Sequence, residues 1–440
     1  MSKKGKFRKI ILALLFGCVL AWLLLEAILR IFPLRFAKYL FSSNMSYKCC
    51  DADLGSLPTP YQKARWSGKC FSIYPIYTNS LGFRGGEWSH SVPFKIAILG
   101  DSVLIAQHIS ETDHTAAVLG RLLRKEILNA ALGGRGTLDE LSIYRKFVAP
   151  LKPNITILFF TSNDISDNSC ELRKVIYRTD PEGSCGYVSN GKINLLGSSC
   201  YAQNQDQEIR KSLRTYCFSC VFLKRSISSF LKNKGAEVSL DYFFIFRHPK
   251  TKAWQEAWKI TEYAILELKK EVESTGGKLI IVANAECLRI SGTWKDDLKK
   301  ENMFRKSPPP ADLDPFYPVR RLEEFTRQNG IAFLELNAYF LEYRDRFNLK
   351  PPYIAYYCDG HLNPVAHFLM AQFVARYLIE KNLIPLTAVE KDRLLKKIER
   401  HINLSPQEIL GEKAYRQIYN KGGFYLGSSN ISKILEDDLN

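Results

Sequence analysis

The sequence predicts an α/β fold, in which a parallel sheet of about five strands is covered by helices on both faces. Two observations lead to this prediction. Short apolar runs alternate along the chain with segments whose apolar residues recur every three to four positions. Each run is followed by a polar or glycine-rich loop, as expected where parallel strands end at one edge of a sheet.

The apolar runs suit strands that are buried on both faces, because they leave no gap for a solvated side. The first lies at residues 94–99, ends in four consecutive apolar residues and is followed at once by Gly100. The other runs cover residues 127–132, 155–160, 279–283 and 331–336.

Helical patterns fill the gaps between these runs. The clearest lies at residues 252–274, where apolar residues line one face and Gly276-Gly277 ends the helix. The last is expected after Asn363, which suits an N-cap, with Pro364 at the first helical position. The predicted helices cover residues 113–125, 138–148, 252–274, 319–328 and 365–380.

Length and composition are those of a folded protein with room for more than one domain. The 440 residues are 46% apolar and 24% charged, and no internal repeat stands out. The net charge of +17 favours anionic surfaces as partners. No nucleic-acid-binding motif accompanies that charge, so no nucleic-acid partner is predicted.

The N-terminus predicts a membrane signal-anchor. Basic residues crowd positions 3–9 and precede an apolar run at residues 10–29, whose only charge is Glu26. Such a run is long enough to span a bilayer, and the basic flank should stay in the cytoplasm. We therefore expect a cytoplasmic tail at residues 1–9, a single transmembrane helix at residues 10–32 and an extracytoplasmic remainder. A cleaved signal peptide is the alternative.

Cysteine usage agrees with an outward-facing chain. Cys18 lies in the membrane run, and ten further cysteines follow it. An even number outside the cytoplasm predicts several disulfides, with free buried thiols as the alternative. The close pair Cys217 and Cys220 is expected to be structural, because no second pair or histidine cluster accompanies it as a zinc site would need. No metal or cofactor is predicted.

The remaining organisation follows from these elements. A stalk and lead-in segment is expected at residues 33–93, ahead of a core segment at residues 94–382. Two insertions interrupt the core segment, a cysteine-rich one near residues 165–250 and a charged, proline-rich one near residues 287–315. A helical extension, to which no chemistry is assigned, covers residues 383–440.

Four loops expected at one sheet edge carry the residues that acyl transfer needs. Ser102 is the candidate nucleophile and His361 the base that takes its proton. Asp359 would hold the imidazole tautomer. The backbone N–H groups of Ser102 and Gly134, with the side-chain amide of Asn163, would form an oxyanion hole. Glycine suits that position because no Cβ hinders a substrate.

Each of these residues has a structural alternative. The Gly-Asp-Ser tripeptide is common in turns and at helix N-caps, Asn163 suits a turn cap, and His361 suits a helix cap. Their joint order, each directly after a strand or before a helix, favours the functional interpretation. His108, His114 and His367 are interpreted as structural or surface residues.

The pattern resembles the SGNH, or GDSL, hydrolase family. The first block of that family is similar to Gly100-Asp101-Ser102, and the second matches Asn129 through Gly134, with the oxyanion glycine at Gly134. The third block matches Asn163-Asp164, and the last supplies Asp359 and His361. The blocks occur in the family's order and cover the core segment.

Three departures accompany the resemblance. Thr161 stands where the third block usually has glycine, and Val103 where a leucine is common. Asp359 lies two residues before His361 rather than three, a spacing shown by some envelope relatives that acetylate or deacetylate polysaccharides. The stretch from Asn79 to Gly85 resembles a segment that precedes the first block in membrane-anchored bacterial members.

The resemblance implies a flavodoxin-like three-layer sandwich and ester hydrolysis on lipid or carbohydrate substrates. The expected protein is a membrane-anchored, extracytoplasmic serine esterase that acts on acyl esters of cell-envelope glycans or lipids. Two alternatives stay open. One is an O-acyltransferase that passes the acyl group to a sugar hydroxyl, and the other is a catalytically silent envelope binding or assembly protein.

Overall fold

The structure is a computed structural model. The contacts between its residues divide the chain into two compact units. One comprises residues 1–43 and 201–237, the other residues 44–200 and 238–440. The first unit is described only at residues 13–24 and 26–27, which are helical. The described residues are 13–24, 26–27, 47–51, 53–89, 91, 93–177, 183–197, 244–284, 312–350, 353–356, 358, 360–420 and 423–437.

The signal-anchor predicted at residues 10–32 lies partly outside the described residues. Within the described ranges, no helix combines the length and the apolar character needed to span a bilayer. The transmembrane helix therefore finds no support in the structure and stays a prediction from sequence.

The second unit is built on a five-stranded, all-parallel sheet, as predicted. Its strand order is β6-β5-β7-β10-β11, which is the flavodoxin-like order 2-1-3-4-5 when these strands are counted along the chain. The strands are β1 (Tyr47–Asp51), β2 (Gly55–Pro58), β3 (Lys63–Ser67), β4 (Ser72–Tyr77), β5 (Lys95–Leu99), β6 (Glu126–Asn129), β7 (Ile155–Phe160), β8 (Cys185–Ser189), β9 (Lys192–Leu196), β10 (Lys278–Ala283) and β11 (Ala332–Glu335).

Every residue of β5 and β7 is buried, which explains why their sequences are continuous apolar runs rather than alternating ones. The predicted second run extends beyond β6, which ends at Asn129, because Ala130 and Leu132 already belong to the loop. Their N–H groups donate to the carbonyls of Ile98 and Gly100 and hold that loop along the end of β5.

The predicted helices of the core segment are confirmed, and further ones are found. The helices are α1 (Ser102–Ile105), α2 (Thr115–Leu123), α3 (Thr137–Ile143), α4 (Asp164–Asp167), α5 (Cys170–Tyr177), α6 (Lys252–Ser274), α7 (Tyr317–Gln328), α8 (Asn337–Arg346), α9 (Pro364–Glu380), α10 (Ala388–Ile402), α11 (Pro406–Leu410), α12 (Glu412–Tyr419) and α13 (Ile431–Asp437). Short π and 3₁₀ turns, Tyr144–Val148 and Ala149–Leu151, extend α3.

Right-handed crossovers place α2 on one face of the sheet and α3 and α6 on the other. The contacts agree, since α9 packs against α2 and α10, whereas α6 packs against α3 and β10. Asn363 accepts the N–H of Ala366 with its side chain and Pro364 is the first residue of α9, as predicted. The core lies between the sheet and these two helical layers.

The lead-in segment packs more closely on the core than a stalk would. From residue 53 onward its apolar side chains, among them Leu54, Leu57 and Phe83, belong to the same buried cluster as the sheet. Two antiparallel pairs, β1–β2 and β3–β4, build this part. On β4 the buried residues Ile73 and Ile76 lie three positions apart, because a register shift against β3 gives β4 one extra residue. This strand does not show strict alternation and is not predicted from the sequence.

Arg84 connects the lead-in segment to the loop after α1. Its guanidinium is 1% exposed and donates to the carbonyls of Ile105 (3.0 Å), Ala106 and Ile109 (2.7 Å). It also pairs with Glu111 at 3.2 Å. Burial alone would raise the pKa of Glu111, but the charge of Arg84 holds this pKa down at about 2. The segment at residues 79–85 therefore contains a buried arginine that anchors it to the chain around the end of α1.

Two disulfides are described, in agreement with the predicted oxidised compartment. Cys70 in the β3–β4 turn is bonded to Cys358, and Cys170 at the start of α5 is bonded to Cys185 on β8. Cys18 is a free thiol. The other six cysteines, including the pair Cys217 and Cys220, have no described side chain.

The two predicted insertions are described only in part. Residues 165–177 form helices, the β8–β9 hairpin occupies residues 185–196, and residues 198–243 and 285–311 lie outside the described ranges. The C-terminal extension returns to the lead-in hairpin, where the N–H of Tyr425 donates to the carbonyl of Cys70 at 2.8 Å.

Arg84→Met should destabilise the protein by about 3–5 kcal/mol, because it removes a buried cation that bonds to three carbonyls and pairs with Glu111. Arg145→Met is the matched control. Arg145 is 41% exposed and pairs with Glu267 and Glu271 on the surface, so its loss should cost less than about 1 kcal/mol. Urea unfolding of both variants measures the difference, and equal losses would contradict an anchoring role for Arg84.

Candidate active site

The first loop of the site follows β5 and presents Ser102. Gly100 is buried, and Asp101 caps α1 by accepting the N–H of Val103 at 2.9 Å. Ser102, the first residue of α1, is partly exposed although the residues before it are buried. The Gly-Asp-Ser turn therefore caps a helix, which is the structural role expected of this tripeptide. It also leaves Ser102 open to solvent.

The second loop brings Gly133 and Gly134 beside the serine. A Cβ built on Gly133 would lie 3.8 Å from the Cβ of Ser102. Gly134 is exposed, has a φ of +71° and would meet nothing within 4 Å if it carried a Cβ. The glycine is required there by its left-handed backbone rather than by lack of space.

Two backbone donors belong to these loops. Among the hydrogen bonds made within the described part of the chain, none uses the N–H of Ser102 or the N–H of Gly134. Both groups belong to exposed or partly exposed residues, so a ligand oxygen can reach them.

His361 lies opposite Ser102, with 3.3 Å between its Nε2 and the serine Oγ. The loop that carries it is closed by backbone bonds, from Tyr356 N–H to the His361 carbonyl and from Asn363 N–H to Ile354, each 2.8 Å long. The helix cap is Asn363 rather than His361. Asp359 lies outside the described residues, and its role stays a prediction.

The histidine loop is held from the lead-in side. Cys358, three residues before His361, is bonded to Cys70, and Phe71 packs against Tyr356 with 5.1 Å between ring centroids. The ring centroid of His108 lies 4.7 Å from that of His361. His108 is therefore a buried neighbour of the site, which its sequence context did not indicate.

Asn163 follows β7 and approaches the same edge. Its amide nitrogen donates to Asp167 Oδ2 at 2.9 Å and, more weakly, to Asp101 Oδ2 at 3.4 Å. Asn163 is the N-cap residue of α4, but its side chain makes no cap hydrogen bond. The side chain is partly exposed, and both of its donated bonds go to carboxylates, so donating to a ligand requires giving up the longer bond to Asp101.

A buried cluster of carboxyl groups lies behind Asn163. Burial and the neighbouring carboxylates raise the pKa of Glu140 and the pKa of Asp164 well above their usual values. Burial and the neighbouring charges therefore favour the protonated form of both groups. Within the described ranges no group of histidine, cysteine and acidic side chains has the geometry to hold a metal ion. The cluster comprises Asp101, Asp139, Glu140, Asp164 and Asp167.

Arg173 on α5 supports the glycine loop and was missed in the sequence. Its guanidinium donates to the carbonyl of Gly134 at 3.1 Å and to that of Ser184 at 3.4 Å. Asp139, 3.9 Å away, provides its counter-charge. Arg173 lies in the region interpreted as an insertion, and no local motif distinguishes it from a surface arginine.

His114 and His367 are structural, and both are buried. His114 caps α2 by accepting the N–H of Ala117 at 3.3 Å. His367 on α9 lies 2.8 Å from the hydroxyl of Thr115. Burial lowers the pKa of both, so their imidazoles stay neutral.

No protein-family model and no curated protein matches the chain. Solved structures similar to it include an acetyl xylan esterase, AlAXEase, with 13% identity over 64% of this chain and 98% of the other and a TM-score of 0.35. A putative lipolytic protein of the G-D-S-L family from Desulfitobacterium hafniense DCB-2 has 13% identity, 64% and 98% coverage and a TM-score of 0.32. An acetyl xylan esterase of Geobacillus stearothermophilus has 14% identity, 68% and 98% coverage and a TM-score of 0.34.

Glu140→Gln should stabilise the protein progressively as the pH rises. The pKa of Glu140 is raised in the fold, so its contribution is fully present below its unfolded pKa of about 4.3 and is lost as the pH approaches the folded value. The neutral amide removes that loss. Urea unfolding at pH 5 and pH 8 tests this, with Asp164→Asn expected to act in the same direction. A wild-type pH dependence in both variants would contradict protonated carboxyls in the cluster.

Proposed function

We propose that the protein is a serine esterase of the SGNH type. The observation that carries the proposal is the 3.3 Å approach of His361 Nε2 to Ser102 Oγ at the carboxyl edge of the sheet. The N–H groups of Ser102 and Gly134 support it, because neither is used in a hydrogen bond within the described residues and an oxyanion needs such donors.

In the first half of the reaction His361 accepts the proton of the Ser102 hydroxyl while Oγ bonds to the acyl carbon. The carbonyl oxygen becomes an oxyanion, which the two N–H groups and the Asn163 amide stabilise. Collapse of this intermediate breaks the bond to the alcohol, which leaves with the proton from His361. The product of this half is an acyl-Ser102 ester.

In the second half His361 takes a proton from water, and the resulting hydroxide attacks the acyl carbon. The same donors stabilise the second oxyanion, and its collapse returns the proton to Ser102 as the acid leaves. Asp359 would accept the Nδ1 hydrogen of His361 and stabilise the imidazolium. A sugar hydroxyl in place of water would make the same site an acyltransferase.

The proposed substrates are acyl esters on cell-envelope glycans or lipids. The two disulfides favour an extracytoplasmic compartment, because thiols stay reduced in the cytosol. The signal-anchor predicted from sequence would hold the enzyme at the membrane of that compartment. No nucleic-acid partner is proposed.

Ser102→Ala should abolish release of the aryl group from a short-chain aryl ester and should leave the fold intact, since it removes one partly exposed hydroxyl. His361→Ala should cost nearly as much, because nucleophile and base act as a unit. A fluorophosphonate probe should label Ser102 in the wild type and nothing in Ser102→Ala. Esterase activity that survives in Ser102→Ala, with a different serine labelled, would overturn the proposal.

Two further variants of the same series separate the supporting roles. Asn163→Ala removes one oxyanion donor and should lower kcat by about 100- to 1,000-fold. Asp359→Asn should cost about 10,000-fold if Asp359 orients His361, and little if another group does. Adding an oligosaccharide acceptor to the assay distinguishes the transferase, which would form an acylated sugar. Absence of both activities in a folded wild-type protein would leave the silent binding protein.

The Cys70–Cys358 disulfide should be needed for turnover as well as for stability. Replacing both cysteines by serine frees the loop that positions His361, and a misplacement of about 1 Å costs on the order of 100-fold in kcat. KM should change less, since the disulfide does not contact the acyl group. The Cys170→Ser/Cys185→Ser double variant is the comparison for stability alone, because its disulfide joins α5 to β8 beside Arg173 and Ser184, which support the glycine loop.

Both disulfide variants should lose about 2–5 kcal/mol of stability. Kinetics are therefore compared at a temperature where circular dichroism shows each variant to be folded. An unchanged kcat in the folded Cys70→Ser/Cys358→Ser variant would contradict a positioning role for this bond.

A further inference from the structure

The outer side of the β3–β4 hairpin carries a distinctive set of side chains. The strands pair antiparallel, with Lys63 opposite Tyr77 and Ala64 opposite Ile76. Because side chains alternate between the two faces of a strand, Ala64 and Ile76 are buried whereas Lys63 and Tyr77 are exposed. A register shift between the pairs Ala64–Ile76 and Trp66–Ile73 gives β4 one extra residue, and Tyr74 is exposed as well as Tyr77. The exposed or partly exposed side chains of this side, here called the hairpin face, are Lys63, Arg65, Tyr74 and Tyr77.

Cations and aromatic rings are interleaved on the hairpin face. The guanidinium of Arg65 lies 4.8 Å from the ring centroid of Tyr74. The ammonium of Lys63 lies 5.7 Å from the Tyr74 ring and 5.9 Å from the Tyr77 ring. Tyr74 is 48% exposed and Tyr77 is 42% exposed, and Tyr61, just before β3, is 75% exposed. These contacts hold long side chains in an ordered, solvent-facing array.

The hairpin face has a charge that its surroundings do not balance. The sequence contains no aspartate or glutamate from residue 54 to residue 86. Within the described ranges neither Lys63 nor Arg65 forms an ion pair, and the one hydrogen bond of Arg65 goes to the hydroxyl of Ser72. An anionic partner would therefore pair with Lys63 and Arg65 without displacing a carboxylate from either side chain.

We propose that the hairpin face docks an anionic glycan, with carboxylates on its sugars pairing with Lys63 and Arg65. The faces of the sugar rings would lie against Tyr74 and Tyr77, whose hydroxyl groups also offer hydrogen bonds. The glycan would be held on the element that is covalently joined to the site, since Cys70 in the hairpin turn is bonded to Cys358 near His361.

The side chains favour a glycan over a membrane surface. Insertion into a bilayer relies on exposed tryptophan, phenylalanine or leucine, and the hairpin face has none of these. Docking requires no catalysis, but the idea that the docked polymer carries the acyl esters rests on the proposed function.

The experiment measures retardation of the full-length, detergent-solubilised protein in native gels that contain polygalacturonate or neutral xylan. Lys63→Gln/Arg65→Gln and Tyr74→Ala/Tyr77→Ala are compared with a charge-matched control, Lys396→Gln/Arg416→Gln. In that control both side chains lie on exposed helix surfaces, 76% and 69% exposed. Hydrolysis of a small aryl ester is measured in parallel and should stay at the wild-type rate in all three variants.

The wild type should bind polygalacturonate and not xylan, and each hairpin-face variant should lose at least about tenfold in affinity, or 1.4 kcal/mol. Only the Lys63/Arg65 variant should also lose the salt dependence of binding. Equal losses in the control, equal binding to xylan, or binding to phosphatidylglycerol vesicles in place of polygalacturonate would overturn the proposal. Binding without any esterase activity would instead contradict the proposed function alone.

Discussion

The parallel hydrogen bonding of β5 with β6 and β7 is the constraint on which the rest of the site depends. Because Ile98 is in register with both Asn129 and Ile157, the three strands run side by side toward one edge of the sheet, and their ends lie within three residues of one another. At this edge the chain crosses to opposite faces before and after β6, which opens a crevice between the loops. Ser102 and Asn163 are far apart in sequence, and the sheet brings the loops that carry them to the same edge.

The second constraint is a set of buried anchors that connect the lead-in segment to the two loops of the candidate catalytic pair. Arg84 holds the carbonyls that follow α1, behind Ser102, and the Cys70–Cys358 bond holds the loop of His361. Phe71 and His108 fill the space between these anchors. The loops of Ser102 and His361 are thus both held by the lead-in segment. This explains why a segment outside the parallel sheet contributes to the site.

The carboxyl cluster shows how the third loop is held without excess charge. Asn163 is oriented by two acidic side chains, and five carboxylates at one buried place would repel one another strongly. Raised pKa values at Glu140 and Asp164 reduce that repulsion, because they favour the neutral form of both groups. Arg173 compensates part of the remaining charge and also fixes the carbonyl of Gly134.

The sequence by itself determined the five strands, most helices of the core segment and the order of the site residues, because buried parallel strands and helix caps are encoded by local patterns such as Ile155–Phe160 and Asn363-Pro364. Only the tertiary structure decided what surrounds those residues. Arg84, Arg173 and His108 act on groups that lie elsewhere in the chain, and an arginine that will be buried looks the same in sequence as an exposed one. The pairing of Cys70 with Cys358 is likewise hidden, because 288 residues separate two cysteines that only the fold brings together.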